Sequence, residues 1–448
     1  MEENITGYTE IGSAKFTFNL YEYLLTLVLI EGVFPQEMIL QRYNIKMLEG
    51  TTSSHLKIYF FSLSLETSVI TNELRTYISS YVLGKETDSA KEISSFSAIM
   101  FTGTVVDNYF SPARKLDMQS SIDSRGKAIY MRSKEDVDFQ TSITSSMSIK
   151  LSVQPPSLPG QYSGEIGNLR SILTLSFSSD CSLDDLQDYY LKVYHFFAFV
   201  NFRRNITFSE ITLATCIDGK TLEPIASYFV AVNQPCTKTH ALRTISHNHL
   251  KKKISDLFSY LAVIEKQLCF IPKNDDEALI LDYDKYMLVS AVFEKCFFEL
   301  YPYAVRKNYS PEHIDIKKKV VDYLETIIQD STGVSLHAAQ CILSSFKSSG
   351  KVPLQNRFMY ALEQNKDILA SAFSSIKFTP EKISSIARDF SVQRNALDHG
   401  EFELISSISV SPYTYAVCLI YIMILKKIDV DINTIRRVIL YLFTNYNH

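Results

Sequence analysis

Apolar and polar residues alternate through the first half of the chain. Leu56/Ile58/Phe60, Ile99/Phe101/Val105, Met147/Ile149/Leu151/Val153 and Leu173/Leu175/Phe177 each largely repeat with a period of two, the spacing of a strand with one face buried. Segments rich in Ser, Gly, Asn and Pro separate these runs, and Gln154-Pro155-Pro156 to Pro159-Gly160 is the clearest break. The pattern predicts an antiparallel sandwich or barrel. One helix interrupts it: Ser182 precedes Leu183 to Phe199, in which Leu186, Tyr190, Val193 and Phe197 form an apolar stripe.

After Pro235 the alternation gives way to helical periodicity. His240 to Phe270 is expected to be a long connecting helix, with Leu257, Leu261 and Ile264 among its apolar positions. Asp284 to Pro302 is expected to carry Leu288, Val292, Phe293, Cys296 and Leu300 on one side, with Glu294 beside them. Further helices are expected near 311–330, 335–348, 354–375, 379–399, 411–427 and 431–446, punctuated by Gly333, Gly350, Pro353 and Pro412. No repeat period runs across them, which favours a bundle over a solenoid. At 448 residues the chain has room for two or three domains. The expected class is α+β multidomain: an antiparallel β-rich sandwich or barrel over 1–240, then an all-α bundle over 241–448.

With 46% hydrophobic and 21% charged residues, the composition is that of an ordinary soluble globular protein. Tyr21 to Phe34 contains Glu22 and Glu31, and Tyr413 to Leu425 is too short to span a bilayer, so both are expected to be core elements with no membrane partner. The start Met1-Glu2-Glu3-Asn4 has no basic segment, so no secretory signal is expected. Seven cysteines, at 181, 216, 236, 269, 296, 341 and 418, follow no CxxC or Cys/His zinc spacing. They suggest a reducing cytoplasm and thiols buried as small hydrophobes.

A net charge of −4 argues against coating nucleic acid by bulk electrostatics. Residues 241–448 hold 25 Lys/Arg against 23 Asp/Glu, so any RNA contact must be local. Lys251-Lys252-Lys253 and Lys317-Lys318-Lys319 are candidates, although such runs are ordinarily solvated helix faces. Phe202-Arg203-Arg204-Asn205 combines a ring that stacks on bases with arginines that meet phosphates. A helix-to-strand connection with two solvated arginines accounts for the same residues. No Walker A loop, GxGxxG, HExxH or GxSxG is present. The pair His247 and His249 runs into the lysines and reads as a polar segment rather than a metal site. No cofactor and no metal are expected.

One stretch carries chemistry. Arg394-Asn395-Ala396-Leu397-Asp398-His399-Gly400 places a permanent cation and a titratable imidazole at one helix end. Thr379-Pro380-Glu381 supplies the N-cap, Pro at N1 and an acidic first turn, while Ile383, Ile386, Ala387, Phe390 and Leu397 recur at helical spacing. Gly400 is expected to end the helix in the left-handed conformation, with His399 in the last turn, where the dipole favours its charged form. Residues five apart are rotated by roughly 140°, so Arg394 and His399 converge only where the helix unwinds or a second copy contributes. Arg394 and Asp398 are neighbours, and an ion pair between them with a capping histidine is the plainer reading. Arg394 also falls within the apolar stripe, where a buried arginine needs an anionic partner, and Glu294 is one candidate.

The pattern Arg-Asn-x-x-x-His-Gly at a helix end, in a C-terminal all-helical region, resembles the HEPN superfamily (higher eukaryotes and prokaryotes nucleotide-binding). A helical region of this size behind a β-rich one of similar size is similar to the ApeA-type anti-phage proteins. The resemblance implies a metal-independent endoribonuclease in which the RNA 2′-OH attacks the adjacent phosphate. Its products carry a 2′,3′-cyclic phosphate and a 5′-hydroxyl. His399 would handle a proton, Arg394 would bind the phosphate and Asn395 would position either. It further implies a homodimer through the C-terminal helices, a front domain that detects a phage-derived trigger or restrains the effector, and a role in abortive infection. A catalytically silent nucleotide-binding or interaction module, or a toxin restrained by an antitoxin, is the alternative.

Overall fold

In the computed structural model the chain divides into two units, Met1–Asp275 and Asp276–His448. The structure describes residues 4–33, 43–68, 73–86, 93–111, 116–123, 126–133, 138–154, 170–219, 221–231, 244–274, 277–278, 283–302, 311–330, 332–348, 352–400 and 410–443. The Pro155 to Gly160 break, Pro235, Cys236, Gly350 and residues 444–446 of the expected last helix lie outside these ranges.

The first unit is built on antiparallel strands, as the alternation predicts. Strands β1 (Ile5–Ile11), β2 (Ala14–Tyr21), β3 (Leu24–Glu31), β4 (Tyr43–Thr52), β5 (Lys57–Ser68) and β6 (Glu73–Tyr77) pair in the order β5-β4-β1-β2-β3-β6, and β6 pairs back to β5. The ring is closed, and closure removes the unpaired edges that an open sheet would present. Its inward face holds Phe16, Phe18, Leu25, Leu27, Ile58 and Phe60, all essentially inaccessible to solvent. Phe18 meets Phe60 edge to face at 5.2 Å. Gly7 stands opposite Phe18 in the ladder, and a Cβ there would lie 2.6 Å from the Phe18 ring. The absent side chain makes room for the ring.

Strand β5 serves two structures. Its first part pairs with β7 (Ser80–Gly84) and its last part with β6, with Ser62 at a positive φ of 56° between them. From β7 the sheet continues through β15 (Thr221–Val230), β14 (Glu210–Ile217), β8 (Ser95–Thr102), β13 (Arg170–Ser182) and β12 (Met147–Gln154) to β11 (Asp138–Ser142). Strands β9 (Leu116–Asp123) and β10 (Gly126–Ser133) form a separate hairpin.

Helices cover this sheet. Val105, expected to continue a strand, lies instead in α1 (Thr104–Phe110), because Gly103 at φ 140° turns the chain into a helix that buries Val105, Val106, Tyr109 and Phe110. Helix α2 (Leu186–Asn201) follows a short 3-10 turn and buries the expected stripe together with Phe196 and Phe199. Ser182 accepts a hydrogen bond from the Asp184 N–H, which caps the turn.

The expected 240–270 helix is broken. It becomes α3 (His247–Leu250), a 3-10 turn over Lys251–Lys253 and α4 (Ile254–Val263). Lys251 adopts φ 36°, which interrupts the helix while keeping Leu250 and Ile254 buried on either side of three lysines. Helix α4 packs on α2 and buries Leu257, Phe258 and Leu261 there. The expected boundary near 240 therefore moves to Asp275/Asp276, because residues 244–274 are part of the first unit's core.

Among the described residues the second unit is helical: α5 (Tyr283–Leu300), α6 (Pro311–Asp330), α7 (Gly333–Ser348), α8 (Leu354–Ala372), α9 (Pro380–Asp398), α10 (Val410–Lys427) and α11 (Ile432–Phe443). Helix α10 is the centre. Every residue from Tyr415 to Leu425 is buried, and α5, α8, α9 and α11 all pack on it. A helix apolar on all sides belongs inside a bundle, which accounts for the 413–425 stretch. Helices α6 and α7 pack on each other as a hairpin. Among the described residues no helix is long and apolar enough to cross a membrane.

Candidate functional site

Helix α9 forms where its signals place it. Thr379 sits in extended geometry at the N-cap and its hydroxyl accepts from the Lys382 N–H at 3.3 Å, with Pro380 following. Ile383, Ile386, Ala387, Phe390 and Leu397 are buried. Phe390 is the anchor: its ring stacks on Phe358 of α8 at 4.1 Å and meets Phe293 of α5 at 6.0 Å, and Tyr286 Oη donates to its carbonyl at 3.3 Å. One turn further on, Arg394 leaves this packed region, which fixes its backbone while its head group reaches the surface.

Arg394 is half-buried rather than buried, its side chain 30% exposed. Its partner is the one that spacing favours: Nη1 donates to Asp398 Oδ2 at 3.0 Å and to Asn395 Oδ1 at 3.3 Å. Asp398 lies in the last turn, where the negative end of the helix dipole disfavours a carboxylate, and Arg394 offsets this. Such an exposed pair stabilises by about 0.3–0.5 kcal/mol, so a phosphate can displace it. Both bonds use Nη1. Among the described residues the Nε–Nη2 edge has no partner, and that edge is the one that grips a phosphate with two parallel bonds.

His399 is the C-cap residue, at φ −94° and ψ 0°, and its N–H reaches the Asn395 carbonyl at 3.0 Å. Gly400 follows at φ 71°, the expected left-handed stop. Asn395, Asp398 and His399 are exposed. Because α9 stays regular through Asp398, the structure joins Arg394 to Asn395 and Asp398 but not to His399 of the same copy.

Glu294 does not serve Arg394. It pairs with Arg357 of α8 at 2.9 Å, with the arginine side chain only 8% exposed and its guanidinium 4.9 Å from the Phe298 ring. Among the described residues Arg357 is the buried arginine of the bundle. The signal was present in the sequence, since Arg357 lies between Leu354, Phe358 and Ala361, all buried.

The other candidates fare as follows. Phe202 and Arg203 are buried, and the Arg204 and Asn205 N–H groups bond to the Pro272 and Lys273 carbonyls at 2.8 Å. Arg203 is thus buried rather than solvated, while Arg204 is half-buried, because this stretch lies between α2 and the end of the first unit. His247 is buried against Tyr109, Phe110 and Phe139, which corrects the expected polar segment. His249 Nδ1 accepts from the Ser246 N–H and caps α3. Lys251, Lys252, Lys318 and Lys319 are exposed. Among the cysteines, Cys296 and Cys418 are buried, but Cys216 and Cys341 are exposed. Among the described residues no group of three metal-ligating side chains occurs.

Comparison with known proteins finds no family model, no curated protein and no solved structure that matches this chain.

Proposed function

We propose that the protein is a HEPN-type endoribonuclease acting without a metal ion, in antiviral abortive infection in the cytoplasm. The observation that carries the reading is the Nε–Nη2 edge of Arg394, which has no partner among the described residues, beside Asn395 and five residues before the exposed His399. In the reaction the 2′-oxygen bonds to phosphorus, the bond to the 5′-oxygen breaks, and one proton passes from the 2′-OH toward the leaving oxygen. His399 handles that proton, a contribution of about 10²–10⁴ in rate. Arg394 stabilises the charge that develops on the phosphate, and Asn395 positions it. Since Arg394 and His399 are rotated by roughly 140° on one helix, two copies around a two-fold axis bring both groups to one phosphate. A homodimer through the C-terminal helices is therefore part of the reading, and the front unit is its detector of a phage-derived trigger.

The second reading is a catalytically silent interaction module. The Arg394–Asp398–Asn395 cluster favours it, since Arg394 Nη1 is already held by both neighbouring side chains. RNA cleavage in EDTA separates the two. Under the nuclease reading His399→Ala abolishes cleavage at an unchanged melting temperature, and Arg394→Lys, which keeps the charge but loses the fork, lowers the rate sharply. Light scattering of the active protein gives twice the 51.1 kDa of one chain. Full cleavage by His399→Ala at the parental melting temperature would rule the assignment out.

A further inference from the structure

The first unit holds a cleft beside the ring. It has a volume of about 550 Å³ and lies between the β2–β3 and β4–β5 turns of the ring and strands β7 and β15 of the sheet extension. A volume of this order accommodates one small molecule. Tyr23, Tyr81 and Phe229 supply an aromatic wall, with Tyr81 stacked on Phe229 at 4.6 Å and Tyr23 at 5.8 Å from Tyr81. Thr52, Ser53 and Ser54 of the β4–β5 turn also line it, their hydroxyls bonded to one another and to Thr6. Burial pushes the Tyr81 phenol up to about 12, so it stays a neutral donor at any working pH.

The turn that presents Tyr23 is strained. Glu22 and Tyr23 are the two central residues between β2 and β3, at φ 45° and 64°. Two-residue hairpin turns of this kind ordinarily use Asn-Gly or Asp-Gly, because bulky residues resist positive φ. Here the conformation is held from outside. Tyr23 Oη donates to the Val230 carbonyl at 2.9 Å, and the Tyr23 carbonyl accepts from the Ile78 N–H at 2.9 Å. Strain kept in place by surrounding contacts clusters at ligand sites. Tyr23 also lines a second cleft of about 590 Å³ and a smaller one of about 140 Å³, so the turn forms a wall common to all three.

The lining specifies the chemistry of the occupant. Among the described residues that line the 550 Å³ cleft there is no lysine or arginine, and the charged side chain is Glu22, which repels phosphates and carboxylates. A carboxylate and several hydroxyls accept hydrogen bonds from hydroxyl or amino groups, while the rings offer a face to a flat partner. We propose that this cleft binds an uncharged ring compound bearing hydroxyl or amino groups, of the size of a nucleoside or a saccharide unit. This does not rest on the nuclease reading, since every lining residue belongs to the first unit.

The test is calorimetric titration of the full chain with adenosine, uridine, glucose and N-acetylglucosamine, with AMP, UMP, glucose 6-phosphate and N-acetylglucosamine 6-phosphate as charged counterparts. At least one uncharged probe binds, its phosphorylated counterpart binds more weakly, and which probe it is assigns the source. Tyr81→Ala weakens that binding by roughly tenfold or more, the loss of one stacking partner. Phe229→Leu, at a partly exposed site that tolerates the change, weakens it without unfolding the ring, and Glu22→Gln weakens it less. Tyr77→Ala, exposed and outside this cleft, leaves it unchanged. The proposal is overturned if no uncharged probe binds at millimolar concentration, if a phosphorylated counterpart binds as well, or if folded Phe229→Leu binds like the parent.

Discussion

Replacing Arg357 with methionine should leave the protein about as stable as the parent, whereas removing its partner Glu294 should not. Arg357 is 8% exposed at the side chain and Glu294 is 29%, so the guanidinium carries most of the desolvation. Its gains are one charge-assisted hydrogen bond at 2.9 Å and the contact with Phe298. These are worth about 1.5–3 kcal/mol and about 1–2 kcal/mol. Against them stands the cost of burying a charge, several kcal/mol, with Nε and Nη1 buried and meeting no acceptor among the described residues. Methionine keeps the stem and its packing, forfeits the gains and removes the cost, so Arg357→Met should fall within about 1 kcal/mol of the parent. Glu294→Ala leaves the buried cation uncompensated and should cost about 3 kcal/mol. Urea unfolding followed by circular dichroism at 222 nm, which reports on the helices, measures both. If Arg357→Met destabilises as much as Glu294→Ala, the pair is a net contributor and the reasoning fails.

Three further outcomes are expected. Gly7→Ala puts a Cβ 2.1 Å from the Thr51 carbonyl oxygen and should lower stability by about 1–3 kcal/mol or more, while Gly12→Ala, at φ 62° with nothing within 4 Å, should cost only about 1 kcal/mol; equal melting points would contradict this. Residues 276–448 expressed alone should be soluble and helical, but 241–448 should aggregate by light scattering, because Leu257, Phe258 and Leu261 lose the core that buries them; the reverse result would restore the earlier boundary. Burial lowers the His195 pKa below its ordinary 6.5, with Glu265 opposing. The unfolded chain then protonates first, so His195 contributes stability above 6.5 that is lost as pH falls below it. His195→Gln should therefore narrow the drop in melting temperature between about pH 7.5 and about pH 5.5, and an unchanged drop would refute it.

The helices of the second unit were legible because each carries its signals locally. Thr379-Pro380-Glu381 and Gly400 bracket α9, and its stripe names the residues that prove buried. Closure of the ring was not legible, since it pairs residues as distant as Val28 and Glu73 and depends on Gly7 yielding space to Phe18. Alternation through Val105 suited a strand until Gly103 redirected the chain. Arg394 and Arg357 both adjoin apolar stripes, and only tertiary contacts decide which is buried: α9 ends at the bundle surface, while Arg357 meets Phe298 and Glu294. The Glu22-Tyr23 turn lacks the Gly or Asn by which such turns announce themselves, so the residues lining the cleft gave no local sign.

The shared strand β5 gives the chain an order of assembly. The ring needs only residues 5–77, so its short loops can close while the remainder is still being synthesised. Strand β7 then hangs from the finished ring with its far side open until residues 221–230 arrive to pair with it. Throughout that interval the nascent protein displays an unprotected edge of backbone donors and acceptors. A chain truncated before residue 221 is therefore expected to leave β7 open to edge-to-edge pairing, an aggregation route that the complete chain closes.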